Sequence, residues 1–126
     1  MKITIVITLA TALMLVDLNI CADACQPNYW ADGCSGVADF KFTDDCNKHD
    51  ICYACGNALG VSRLSCDDRW YDNMINTCNT KEHWFWRPGC KLMAWIYYRL
   101  DRDWAEKSYR APSVGFCKEA WVPACV

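Results

Sequence analysis

Cysteine is the residue that most restricts what this chain can become. Eleven cysteines lie in 126 residues, and one of them, Cys21, sits in a segment expected to be removed. Residues 1–24, "MKITIVITLATALMLVDLNICADA", have the pattern of a secretory signal peptide: a basic Lys2, an uncharged run from Ile3 to Val16, and the small-residue pattern Ala22-Asp23-Ala24. The run is fourteen residues long, short of the roughly 18 to 20 apolar residues a membrane-crossing helix needs. Cleavage after Ala24 would leave Cys25, Cys34, Cys46, Cys52, Cys55, Cys66, Cys78, Cys90, Cys117 and Cys125. Ten is an even number, and an exported chain is oxidised, so five disulfides are expected.

The remaining 102 residues, 25–126, read as one domain with a modest core that the disulfides must reinforce. After loss of Lys2, Asp17 and Asp23, 12 basic residues face 13 acidic ones, so no surface for nucleic acid is implied. There is no internal repeat, no low-complexity stretch and no N-x-S/T acceptor.

Hydrophobic periodicity points to helices. Thr43, Asp44 and Asp45 offer capping oxygens and acidic charge, and Gly56 offers a stop, which predicts a helix over Asp44 to Cys55. Ser62 can cap a second helix, in which Asp67, Trp70, Tyr71, Met74 and Cys78 recur at steps of three and four. The short link Gly56 to Val61 makes these two antiparallel. A third helix is expected from Cys90 to Tyr109, with Met93, Ile96, Tyr97, Leu100 and Trp104 on one face and an Asp103–Lys107 pair across a turn. "RAPSVG", Arg110 to Gly115, should break it, and the tail "CKEAWVPACV" should be irregular. Residues before Thr43 read as loop. The fold class is therefore all-α and disulfide-rich: two antiparallel helices and a third long one.

Within the first helix, "CNKHDICYACG" spaces cysteines and a histidine as C-x2-H-x2-C-x2-C, which has the look of a zinc site. Helical geometry argues against it. At 100° per residue, Cys46, His49, Cys52 and Cys55 point at roughly 0°, 300°, 240° and 180°, so four ligands cannot meet at one ion. Cys46 and His49 could share a metal only with ligands from elsewhere. Divergent cysteines suit separate disulfides, leaving a His-Asp pair on a helix stapled around its circumference.

Three further features accompany that pair: Tyr53 one turn beyond His49, Asp67 directly after Cys66 on the second helix, and Asp32-Gly33-Cys34 in the loop before the first. The set resembles the secreted phospholipase A2 superfamily. "CNKHDICY" is similar to its histidine helix and "CDDRWYDNM" to its partner helix, and the resemblance runs from about Asp32 to Tyr98. It is closer to the small microbial enzymes and the conodipine-like animal phospholipases than to pancreatic or venom forms. The venom calcium loop Y-G-C-x-C-G-x-G-G is replaced by "WADGCSG", the cysteine doublet before the histidine by Cys46 alone, and the β-wing by nothing recognisable.

The resemblance implies a calcium-dependent hydrolase acting on phospholipid at a membrane or micelle surface. Its chemistry suits the residues: a base near neutral pKa, for which His49 is placed on a helix and His83 is the other candidate; a carboxylate, Asp67, to orient it; and Tyr53 to hold that carboxylate. Oxygen ligands for Ca²⁺ would come from Asp50, the Asp32 side chain and the Gly33 carbonyl. The competing reading of the same scaffold is a venom-type protein that binds a channel or receptor. Resemblance and helix geometry together pair Cys34 with Cys46, Cys52 with Cys66 and Cys78 with Cys90, and leave the tail cysteines to join Cys25 and Cys55 in one of two ways. "HWFWR", His83 to Arg87, is expected to be core first and an interfacial rim second.

Overall fold

A computed structural model describes residues 25, 31–109 and 115–126. The expected signal peptide, residues 1–24, and most of "RAPSVG" lie outside the described residues. Three α-helices carry the fold: α1 (Thr43–Cys55), α2 (Arg63–Lys81) and α3 (Arg87–Trp104). Short 3-10 turns at Asn57–Leu59, Glu106–Ser108, Gly115–Lys118 and Val122–Ala124 fill the connections and the tail. No strand occurs among the described residues, and no described helix is long and apolar enough to cross a membrane. The all-α, disulfide-rich class is the one observed.

The start of α1 differs from expectation. Phe42 occupies the N-cap without any side-chain cap, because Asp45 turns inward instead, where its Oδ2 accepts a hydrogen bond from Thr77 Oγ1 on α2 at 2.8 Å. Asp44 stays outside, near Lys81, and answers the helix dipole. The helix stops where expected, at Cys55 with Gly56 as C-cap, although Gly56 is right-handed and the chain reverses at Gly60, with φ +70°. Ser62 caps α2 as expected, its hydroxyl accepting from Ser65 N at 3.1 Å.

The third helix begins three residues earlier than expected. Pro88 sits in its first turn, where a missing N–H costs nothing. It also ends earlier, so Lys107 falls out of register and Asp103 lies near Arg99 at 3.9 Å instead. Its buried face is Cys90, Ala94 and Tyr97, whereas Leu100 and Trp104 are exposed. The disulfide at Cys90 and the inward position of Asp101 set that rotation.

All five expected bridges are present: Cys34–Cys46, Cys52–Cys66, Cys78–Cys90, and for the tail Cys25–Cys125 and Cys55–Cys117. Cys52–Cys66 spans 5.7 Å between Cα atoms across the α1–α2 hairpin, and closing a loop of that length is worth about 3 kcal/mol. Phe42, Trp70, Met74, Ala94 and Tyr97 form the main core with two of the bridges. Ile51, Ala54 and Val122 form a second with the tail bridges.

Candidate active site

The hairpin register puts His49 of α1 opposite Asp67 of α2. His49 Nε2 lies 2.9 Å from Asp67 Oδ1, both side chains being buried. The Tyr53 hydroxyl, one turn further along α1, donates to the same oxygen at 2.7 Å. Two aromatic rings fix the imidazole from either side. Trp70 stacks on it with centroids 4.4 Å apart and planes 18° apart, and Tyr53 sits at 4.2 Å.

Asp67 is surrounded by donors. Its Oδ2 accepts from Arg102, and Arg63 Nε approaches it at 3.7 Å. Burial pushes its carboxyl pKa up, but the hydrogen bonds from His49, Tyr53 and Arg102 outweigh this and hold it down at about 2. Arg63 also ties the ends together: its guanidinium donates to the Tyr53 hydroxyl at 3.0 Å and to the Asp101 and Arg102 carbonyls at 2.8 and 3.0 Å. Those carbonyls lie in the last turn of α3, where the Asp101 carbonyl also accepts from the Ala105 N–H at 2.9 Å.

Asp101 completes the network from α3, with its Oδ2 2.6 Å from the Tyr53 hydroxyl and 3.8 Å from His49 Nε2. Burial raises the pKa of Asp101, and burial likewise raises that of Tyr53. Asp101, Arg63 and Arg102 carry no local motif, so sequence reasoning did not reach them. Only the packing of α3 across the hairpin brings them in.

Asp50, beside His49, has the opposite environment. Its Oδ2 is buried with no hydrogen-bond partner among the described residues. Burial and the charges of Asp32 and Asp101 raise its pKa to about 7, against a lowering hydrogen bond from the Asp32 backbone N–H. Gly33 lines the same cavity of about 170 Å³ as His49, Asp50, Tyr53, Trp70 and Asp101. The exposed Asp32 side chain is outside that lining but acts on Asp50 through its charge and its N–H. The other histidine, His83, is exposed and remote from the cavity lining.

The loop is held by two residues that no motif signalled. Asn47 Oδ1 accepts from Gly33 N at 2.8 Å, and Asp39 Oδ1 accepts from Cys34 N at 2.7 Å. Gly33 has φ +99°, and a Cβ there would come within 2.6 Å of Asp39 Oδ1, so only glycine fits.

Two clusters could be considered for a metal ion. His49, Asp67 and Asp101 bring ligand-type atoms within 4.8 Å of one another, yet Asp67 is already saturated by donors and flanked by two guanidinium groups, which repel a cation. Asp50 with Asp32 and Gly33 is the better fit: an orphaned buried oxygen, a second carboxylate near it, and a loop that excludes side-chain bulk. These are hard oxygen donors.

Known proteins share a short stretch with this chain. Over 37 residues it is 43% identical to Conodipine-P1 and Conodipine-P2 of Conus purpurascens, covering 29% of this chain and 21% of each relative. It is 38% identical over 37 residues to the Conodipine-M alpha chain of Conus magus, 48% of that relative. The matched stretch thus spans less than half the length of the curated relatives. No family model matches, and no solved structure matches.

Proposed function

We propose that this protein is a secreted, calcium-dependent phospholipase A2 that hydrolyses the sn-2 ester of glycerophospholipids. The observation that carries the reading is the buried His49–Asp67 bond beside an Asp50 carboxylate whose buried Oδ2 has no hydrogen-bond partner among the described residues, on one cavity. The short conodipine similarity, the phospholipase A2-like motifs and the disulfide-rich make-up of an exported domain support it.

With Nε2 engaged by Asp67, His49 has Nδ1 left to take a proton from water. The water oxygen bonds to the ester carbonyl carbon, and the proton on Nδ1 then passes to the departing glycerol oxygen. Fatty acid and lysophospholipid are the products. Asp67 holds the tautomer and stabilises the imidazolium, while Tyr53 and Arg102 hold Asp67. Asp50, the Asp32 side chain and the Gly33 carbonyl would hold Ca²⁺, which supplies Lewis-acid stabilisation of the developing oxyanion.

The test is fatty-acid release from phospholipid vesicles in calcium by wild type and His49→Gln. Release by wild type and its loss in the variant, with circular dichroism unchanged, are expected. Equal release by the variant would remove His49 from the reaction. No release by a calcium-binding wild type would move the reading to a binding protein on this scaffold.

A further inference from the structure

The aromatic link expected to be core is exposed. Trp84, Phe85 and Trp86 are 67%, 61% and 64% accessible, stacked edge to face on one another inside the loop closed by Cys78–Cys90. From there Leu92, Ile96, Leu100 and Trp104 advance along α3 in steps of four, forming a gently winding ridge about 18 Å long. Leu92, Leu100 and Trp104 are exposed, Trp104 by 81%. Seven of the ten exposed large apolar side chains belong to α3 and this link. Such a concentration on one element is a recognition surface rather than scatter.

We propose that this ridge is where the protein docks on a phospholipid surface, with Trp84–Trp86 at one end and Trp104 at the other. The choice of a lipid partner rests on the function proposed above and on where the ridge leads. Leu100 and Trp104 line an outer groove with Trp70, Asp101, Ala105 and Ser108, and the last four also line the cavity of His49 and Asp50. A protein or a second copy seated on the ridge would cover that mouth, whereas a lipid sheet presents the ester to it. The chemistry of the ridge agrees. Tryptophan is the side chain most at home at headgroup depth, and with Arg102 and Asp101 engaged in the site network, α3 carries Arg87, Lys91 and Arg99 against Asp103, a balance that favours an anionic surface.

The experiment is co-sedimentation with phosphatidylglycerol vesicles in chelator, where hydrolysis is off, for wild type, Trp84→Ala/Trp86→Ala/Trp104→Ala and Leu59→Ala. All four side chains are exposed, so the fold should survive, and circular dichroism verifies it. Leu59 lies in the Asn57–Leu59 turn between α1 and α2, on neither α3 nor the aromatic link, and serves as the off-ridge comparison. The triple variant is expected to lose partitioning by roughly tenfold or more and Leu59→Ala only slightly. Unchanged binding of the triple variant, a larger loss in Leu59→Ala, or a wild-type dimer in light scattering that the triple variant abolishes would each overturn the proposal. Because the readout is binding without turnover, it stands or falls separately from the hydrolysis assay.

Discussion

Asp50 and Asp67 flank the same histidine and have been put in opposite surroundings. Asp67 accepts from His49, Tyr53 and Arg102 and is driven to about 2; Asp50 has a buried oxygen without a partner among the described residues, two acidic neighbours and a pKa raised to about 7. The same residue type is thus stabilised as an anion on one side and strained as an anion on the other. The lesson is that a carboxylate's task is set by the donors around it. The satisfied one can orient a base, and the unsatisfied one is available to an incoming cation.

The largest effect should come from exchanging the satisfied carboxylate. Asp67→Asn is expected to lower turnover by about 10³- to 10⁴-fold through loss of the correct tautomer and to destabilise the fold by roughly 3 kcal/mol, since Arg63 and Arg102 then face a neutral amide. The pH dependence checks this. A carboxyl whose folded pKa is depressed stabilises the fold above its ordinary pKa, and that contribution disappears as pH falls through the folded value. Denaturant unfolding of wild type and Asp67→Asn should therefore converge as pH drops from about 4 to about 2. Parallel curves across that window would break the comparison.

Asp50→Asn should move stability in the opposite direction. Removing a buried charge repelled by Asp32 and Asp101 is expected to raise the melting temperature of the calcium-free protein, by the equivalent of about 1 kcal/mol, while the calcium needed for half-maximal hydrolysis rises steeply. A lower melting temperature would show that the hydrogen bond from the Asp32 N–H outweighs the burial and repulsion of the anion. The smallest effect belongs to Arg63→Met. It keeps the apolar stem but removes the hydrogen bonds to Tyr53 and to the α3 carbonyls, and should cost about 1 to 2 kcal/mol in urea unfolding with only a few-fold loss of turnover. A turnover loss as large as that of Asp67→Asn would make Arg63 part of the chemistry.

The hairpin side of this site was legible because its information is local. Ser62 sets the start of α2, Cys52–Cys66 sets the register, and His49 then has to face Asp67. All three bridges assigned by residue number formed, for the same reason. The α3 side was not legible. Asp101 reaches Tyr53 across 48 residues of sequence, and nothing in "YYRLDRDW" marks which aspartate turns inward. Met93, Ile96, Tyr97, Leu100 and Trp104 share one face as expected, but that spacing did not say that Leu100 and Trp104 stay exposed, in a domain that five disulfides relieve of the need to bury them. Spacing identifies a stripe of side chains but not what covers it. Asn47 and Asp39, which hold the Gly33 loop, look like ordinary polar residues until the loop conformation is known.

In the proposed mechanism the two carboxylates divide the work, Asp50 taking the cation and Asp67 the base. Calorimetric titration of calcium into wild type, Asp50→Asn and Asp67→Asn tests this directly and needs no turnover. Binding to wild type and Asp67→Asn with loss in Asp50→Asn is the result expected; binding retained by Asp50→Asn and lost in Asp67→Asn would contradict it.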